Sequence, residues 1–224
     1  MSAAYLAAAA GVAAVTWLSV RDGRRIKAAR RQLLNAARSA LDHPELTYGA
    51  GDFPGLKGGF RGQQVVADLI ADTLTIRRLP QLWLSVTLLD RNSELPGFAM
   101  LVRPAGTEFY SLTSTFDERL EVPSGFPNEI LIRGSSSVAQ TYLDALAQPL
   151  KAILSDPRVK EIAVTPKGLR VIRQAGEGRR GEHLLLRQAM FDDADVPATD
   201  LTRILTQLDG LRAALIPLTN KSAA

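Results

Sequence analysis

The sequence predicts an α+β fold, in which an N-terminal transmembrane helix and a basic helical stalk precede a mainly antiparallel sheet with helices packed on one face. Two observations lead to this prediction. An apolar run ends at Val20, and a cluster of arginines begins at Arg21. Beyond Pro44, several segments with strand periodicity are followed by a helical segment, two more strand-like segments and a final helical segment.

The composition is that of a globular chain with an uneven distribution of charge. The 224 residues are 46% hydrophobic and 22% charged. They include no cysteine, which excludes a disulfide framework, a thiolate nucleophile and a cysteine-based metal site. The net charge is +4, but residues 21–38 carry +6 and leave −2 for the rest of the chain. A nucleic-acid-binding domain is not expected, because such domains present a basic face.

Residues 1–20 are predicted to form a membrane anchor. Ala3–Val20 has eighteen residues without a formal charge, and a helix of that length spans roughly 27 Å, close to the hydrocarbon core of a bilayer. Tyr5 and Trp17 lie toward its two ends, as interfacial aromatic residues often do. The high alanine content makes the run marginal in hydrophobicity. A signal peptide is disfavoured because no Lys or Arg precedes Arg21, whereas a buried core helix and a membrane-surface helix remain as alternatives.

Residues 21–43 are predicted to form a basic juxtamembrane helix. Lys and Arg close to a span stay in the cytoplasm, so the N-terminus is expected to face outward and residues 21–224 to face the cytoplasm at a bacterial inner membrane. Each basic residue near an anionic bilayer contributes about 1 kcal/mol of attraction. The side chains expected to contact lipid headgroups are Arg21, Arg24, Arg25, Lys27, Arg30 and Arg31.

The helical periodicity of this basic segment separates two faces. The apolar face holds Ile26, Leu33, Ala37 and Leu41. The basic face holds Arg24, Lys27, Arg31 and Arg38. The pair His43–Pro44 is expected to end the helix. A charged helix that only links anchor to domain is the simpler interpretation, and a lipid-binding or self-associating stalk is the alternative.

Residues 44–62 are rich in glycine and proline and are predicted to be a linker, whereas residues 63–224 are predicted to form the cytoplasmic α+β domain. Alternating and β-branched residues predict the strands of this domain. The predicted strands lie within residues 63–76, 82–90, 97–104, 129–134 and 159–173, the last of these as two strands around a turn. One face of the second strand is predicted to hold Leu82, Leu84, Val86 and Leu88.

Two apolar stripes at helical spacing predict two helices in the domain. The first stripe consists of Val138, Tyr142, Leu146, Leu150 and Ile153. The second stripe consists of Leu201, Ile204, Leu205, Leu208, Leu211 and Leu215. Pro149 is expected to kink the first helix, and Thr199 or Asp200 is expected to cap the second.

A series of short motifs resembles a known group of domains. GGFRGQQV (58–65) is followed by the WLSVTL strand, by FDERLEV (116–122), by EILIRG, by an amphipathic helix and by a strand pair around GLRV. In this order the motifs are similar to a group of uncharacterised prokaryotic domains, often membrane-tethered, over roughly residues 56–215. The resemblance implies a tethered α+β domain and carries over no catalytic residues.

No motif predicts a cofactor or metal site. The glycine-rich GLKGGFRG lacks the Gly-Lys-Ser/Thr triplet of a P-loop, and its Gly59–Gly62 tetrad matches the KH-type RNA-binding loop only in spelling. The serines of RGSSSV (133–138) are better explained as a helix cap than as an anion site. The FDDAD stretch (191–195) lacks the glycine of a calcium loop, and His43 and His183 are not placed to serve a nucleophile.

The expected function is that of a membrane-anchored accessory or assembly domain without catalytic activity, which binds another protein. A hydrolase using carboxylates such as Asp117 and Glu118 is one alternative. Binding of anionic lipid or nucleic acid through the basic segment is the other. Arg179 and Arg180, at a predicted hairpin tip, are the residues expected to touch a partner. The membrane and a protein are thus the expected partners, and association between copies of the chain stays open.

Overall fold

The structure, a computed structural model, describes residues 3–73, 79–90, 95–178, 191 and 194–222. The α-helices in these residues are α1 (Ala3–Gln32), α2 (Val138–Ala145), α3 (Ala147–Leu154) and α4 (Ala198–Ser222). The strands are β1 (Asp42–Tyr48), β2 (Pro54–Phe60), β3 (Gln63–Asp72), β4 (Gln81–Leu89), β5 (Phe98–Val102), β6 (Glu118–Arg119), β7 (Ile130–Gly134), β8 (Val159–Thr165) and β9 (Gly168–Glu177). These nine described strands form one sheet in the order β1-β2-β3-β4-β9-β8-β5-β7-β6, and each neighbouring pair is antiparallel. The predicted α+β class, with helices packed on the sheet, is confirmed.

One face of the sheet forms the main hydrophobic core with the helices. The β4 side chains predicted to share a face are all buried, because alternate residues of a strand point to the same side. Helix α4 contacts β4, β9 and α3. Its predicted apolar stripe is buried in full, namely Leu201, Ile204, Leu205, Leu208, Leu211 and Leu215. The hydrophobic core is thus the layer between this sheet face and the helices.

The helix predicted before β8 is divided into two. Helix α2 ends at Ala145 and α3 begins at Ala147. Pro149 explains the break, because its ring clashes with the carbonyl oxygen four residues earlier, which is that of Ala145, and it has no N–H to donate. Four members of the predicted stripe are buried, but Val138 is exposed.

Strands β1 and β2 occupy most of residues 44–62, where a linker was predicted. The glycines of β2 permit close packing rather than flexibility. A Cβ atom on Gly58 would lie 2.9 Å from the Leu41 Cβ atom and 2.9 Å from the Asp42 carbonyl oxygen. The glycine-rich composition therefore reflects tight contacts in the sheet.

The basic segment also ends differently from the prediction. Helix α1 runs without interruption from Ala3 to Gln32, so it stops well before His43–Pro44, and a 3₁₀ turn (Ala36–Ala40) follows. Burial in the core explains this early end, because the 3₁₀ turn packs against α4 and β1. The buried side chains are Leu33, Leu34, Ala37 and Leu41. Residues 33–41 therefore belong to the folded domain.

The opposite face of the sheet, called the second face below, is covered at its centre by residues 103–117, called the strap. Tyr110 of the strap packs on Trp83 of β4, with 5.8 Å between ring centroids, and Ile172 of β9 completes a small apolar cluster. A short 3₁₀ turn (Leu112–Thr115) continues the strap.

Candidate functional site

The N-terminal part of α1 stands clear of the domain. Every side chain from residue 9 to residue 22 is exposed, and the apolar side chains of Val12 and Trp17 are 68% and 61% exposed. The first half-buried residue is Gly23, followed by Ile26 and Arg30 on the same helix face. Within residues 9–32, for which burial is described, helix α1 therefore touches the domain only from Gly23 onward.

In the part of the chain that the structure describes, no helix combines the length and the apolar character needed to cross a membrane. The predicted transmembrane span is therefore not confirmed. Trp17, predicted at a membrane interface, lies under the Arg21 guanidinium, which is 5.3 Å from the centroid of its ring. The side chain of Tyr5, the other predicted interface residue, lies outside the described residues.

A carboxylate in the turn before β2 joins α1 to the domain. Asp52 contacts the Lys27 ammonium at 3.1 Å and the Arg31 guanidinium at 2.7 Å. The turn places Gly51 and Asp52 in the left-handed region, with φ of 80° and 61°. Hydrogen bonds from Arg31 and then from Lys27 lower the pKa of Asp52, so it stays ionised at neutral pH.

Arg30 faces the domain rather than the solvent. Its guanidinium lies 4.9 Å from the centroid of the Phe53 ring and donates a hydrogen bond of 3.2 Å to the Gly51 carbonyl oxygen. Burial lowers the pKa of Arg30, and the nearby Asp52 carboxylate partly opposes that effect. Phe53 in turn packs edge-on against Phe191, at 6.1 Å between centroids. Arg30, predicted to contact lipid, thus holds the helix to the turn.

Three of the remaining predicted cations line one groove, called the basic groove below. Its volume is about 460 Å³, and its lining is Arg24, Lys27, Ala28, Arg31, Gln32, Asn35 and Tyr48. The Arg31 guanidinium lies 5.3 Å from the centroid of the Tyr48 ring at the end of β1. Arg21 and Arg25 are exposed and do not line the groove. The structure therefore divides the six predicted lipid contacts into three sets.

The second face carries an open cleft between the start of β1 and the start of β3. It has a volume of about 760 Å³, and His43, Glu45, Lys57, Gln64 and Val66 are among its lining residues. Its walls are strands and a turn, and its mixed lining includes both acids and a base. Such a shallow mixed surface fits a protein contact better than an enclosed small-molecule site.

Buried charges fasten the strap to β8 and β9. The Lys160 ammonium contacts the Glu108 carboxylate at 2.7 Å, and both side chains are almost fully buried. Burial alone would raise the pKa of Glu108, but hydrogen bonds from Lys160 and from the Ala105 amide lower it below its usual range. Burial, together with nearby carboxylates, raises the pKa of Tyr110. Glu161 is fully buried and pairs with Arg170.

Sequence reasoning missed these charges, although a signal was present. Lys160 and Glu161 lie in the middle of VKEIAV, a strand that the structure buries on both sides. Adjacent opposite charges inside an apolar strand indicate buried partners of opposite charge. Their partners, which lie in the strap and in β9, could not be named from sequence alone.

The carboxylates proposed for an enzyme are not enclosed. Asp117 and Glu118 are exposed, and Glu118 lies in the two-residue edge strand β6. The described residues contain no group of three His, Asp or Glu side chains that could hold a metal ion. His183 and the predicted partner residues Arg179 and Arg180 lie outside the described residues.

The fold and this geometry define an α+β domain that follows an exposed apolar and basic helix. No protein-family model matches the chain, and no curated protein matches it. Among solved structures, the chain is similar to the crystal structure of the mycobacterial trehalose monomycolate transport factor A, TtfA, at 10% sequence identity and a TM-score of 0.43. The alignment covers 84% of this chain and 94% of that chain. Neither a catalytic nor a binding function follows from that similarity.

Proposed function

We propose that this protein is an accessory domain without catalytic activity, held at the inner face of a bacterial membrane by its N-terminal helix, where it binds another protein. The exposed part of α1 carries the proposal. Five large apolar side chains there are between 46% and 68% exposed, namely Val12, Val15, Trp17, Leu18 and Val20. Their burial would contribute on the order of 5 kcal/mol, and exposed apolar patches mark sites of membrane or protein contact.

The direction of insertion follows from the charges behind the apolar part. Arg21, Arg24 and Arg25 are exposed directly after Val20, and basic residues at the end of a span stay on the cytoplasmic side. The N-terminus then faces outward, and the α+β domain faces the cytoplasm. The helix continues unbroken into the domain contact at Arg30, so the domain lies close to the bilayer surface.

Fractionation and labelling test this arrangement. The wild-type chain should sediment with membranes and require detergent for release, whereas Val12→Lys/Val15→Lys should shift it to the soluble fraction without loss of fold, because both side chains are exposed. Val122→Lys, at another exposed valine, is the matched control. A wild-type chain that stays soluble without detergent contradicts the proposal.

The absence of cysteine allows topology to be read with single introduced thiols. In cells stripped of their outer layers, a membrane-impermeant maleimide should label Ser2→Cys directly and the exposed Ser124→Cys only after lysis. Labelling of both positions only after lysis would indicate a helix lying on the inner surface rather than spanning the bilayer.

The open cleft is the surface we expect the partner to use. The neighbouring β1 edge is a poor docking strand, because Pro44 and an irregular register between Asp42 and Glu45 interrupt its backbone. The open cleft instead offers the side chains of Val66 and Lys57, and contact with them does not require an uninterrupted β1 backbone. A partner should copurify from detergent in a fixed ratio. Val66→Glu should reduce that ratio at least fivefold while Val122→Glu leaves it unchanged, and failure to obtain any fixed-ratio complex contradicts protein binding.

A further inference from the structure

We propose that the basic groove is a binding site for the phosphate of an anionic lipid headgroup, an inference that rests on the proposed membrane attachment. The groove brings Arg24, Lys27 and Arg31 together on one helix face, opposite Tyr48. Residues at i, i+3 and i+7 of a helix share a face, so the continuous α1 holds the three cations in register.

The charge of the groove favours a phosphate. Asp52 is the one carboxylate that the structure pairs with these cations within the described residues, and it contacts Lys27 and Arg31. Arg24 makes no ion pair within the described part of the chain. Three cations against one carboxylate leave a local charge of about +2 for a ligand to neutralise. Guanidinium groups match phosphate oxygens in a fork geometry.

The lining also offers neutral hydrogen-bond donors. The same groove is lined by Gln32, Asn35 and Tyr48. Each of these side chains has an N–H or O–H group that can donate a hydrogen bond to a phosphate oxygen. The Arg31 guanidinium bonds the Asp52 carboxylate and lies near the Tyr48 ring, so little side-chain entropy is lost when Arg31 binds a ligand.

The position of the groove along α1 selects a lipid as the source of the phosphate. Arg24 follows the last apolar residue, Val20, by four residues, which is about 6 Å along a helix. The headgroup layer on each side of a bilayer is about 5–8 Å thick. Arg24 is thus at the level of the headgroups, while Arg31 lies about 16 Å from Val20 and reaches the domain. A headgroup in the groove would fix the domain against the membrane surface.

Titration of the full-length chain in a neutral detergent tests the site. The probe is short-chain phosphatidylglycerol, with short-chain phosphatidylcholine for comparison and phosphorus NMR line broadening as the readout. Arg24→Gln should weaken phosphatidylglycerol binding about fivefold, which corresponds to about 1 kcal/mol per basic residue near a bilayer. Arg25→Gln removes the same charge one residue away, outside the groove, and should change binding less than twofold. Both positions are exposed, and glutamine is a good helix former, so both variants should fold.

Four outcomes would overturn the inference. Equal losses for Arg24→Gln and Arg25→Gln would indicate diffuse attraction to the whole basic segment. Inorganic phosphate that binds as tightly as the lipid would indicate a site for free phosphate. A single-stranded DNA oligonucleotide that binds with the same dependence on Arg24 would indicate a nucleic acid. No binding of phosphatidylglycerol would remove the site altogether. Membrane sedimentation of the wild-type chain is measured separately, so failure of this site and failure of the membrane attachment are distinguishable.

Discussion

Replacement of the fully buried Glu161 by glutamine is expected to destabilise the domain by about 3 kcal/mol. The Glu161 carboxylate pairs with Arg170 and accepts a hydrogen bond of 3.1 Å from the Leu112 backbone N–H. Glutamine keeps the shape and one acceptor oxygen but leaves the Arg170 charge without its counter-ion. Removal of one partner from a buried pair costs about 3–5 kcal/mol. The side chain of Arg170 is 18% exposed, so water can partly solvate it and the loss falls at the lower end.

Thermal unfolding of the full-length chain, followed by circular dichroism in a neutral detergent, measures this effect. Each kcal/mol lowers the midpoint by about 2–4 °C for a chain of this size, so we expect a decrease of about 6–12 °C for Glu161→Gln. Glu129→Gln, at an exposed glutamate, is the matched control and should change the stability by less than about 0.5 kcal/mol.

A double variant tests the physical cause. Glu161→Gln/Arg170→Met removes both charges and should recover part of the loss, because no buried charge is left alone. A midpoint of Glu161→Gln within 2 °C (roughly 1 kcal/mol) of the wild type would refute the reasoning. So would a double variant that is less stable than Glu161→Gln.

Three further predictions concern the core, the sheet and pH. Leu208→Ala should lower the free energy of unfolding in urea by about 2–5 kcal/mol, because Leu208 is fully buried. An unchanged midpoint would contradict the position of Leu208 in the core. Gly58→Ala should cost about 1–3 kcal/mol, since the new methyl group would meet Leu41 at 2.9 Å, whereas Gly11→Ala, with open space around it, should leave the domain as stable as before. The pKa of Glu108 is lowered in the folded state. The ionised Glu108 carboxylate therefore stabilises the fold above its unfolded-state pKa of about 4.3, and this stabilisation is lost as the pH falls through the folded-state pKa. The free energy of unfolding of Glu108→Gln should therefore fall less steeply than that of the wild type below about pH 4.3. Identical pH profiles for the two proteins would contradict a lowered pKa of Glu108.

Most elements of the domain were predictable because their signals are local. The alternation of Leu82, Leu84, Val86 and Leu88 predicts a half-buried strand, and the stripe from Leu201 to Leu215 predicts an amphipathic helix. In both, one element contains the whole pattern. The first two strands escaped prediction for the opposite reason. The glycines of β2 have meaning only beside Leu41 and β3, and a single-chain pattern cannot show which segments become neighbours.

The basic residues of α1 also differ in whether the sequence could predict their positions. Helical spacing placed Arg24, Lys27 and Arg31 on one face, as in the structure, but the same predicted face included Arg38, which lies in the 3₁₀ turn after α1. Arg30 differs from its neighbours only because Phe53 and the Gly51 carbonyl oxygen lie opposite it, more than twenty residues along the chain. A contact at that sequence separation leaves no periodic trace, so the predicted lipid contacts could not be divided in advance.

The sequence by itself determined where the apolar and basic segments lie, where most of the strands and helices beyond β2 lie, and which side chains β4 and α4 turn inward. These properties depend on the backbone geometry of a few consecutive residues. Only the tertiary structure decided that α1 leaves residues 9–22 bare, that Asp52 holds Lys27 and Arg31, and that the strap is fastened by buried charges. Those contacts join residues far apart in the chain, and the free energy that selects them depends on burial and charge pairing, which exist only once the sheet has assembled.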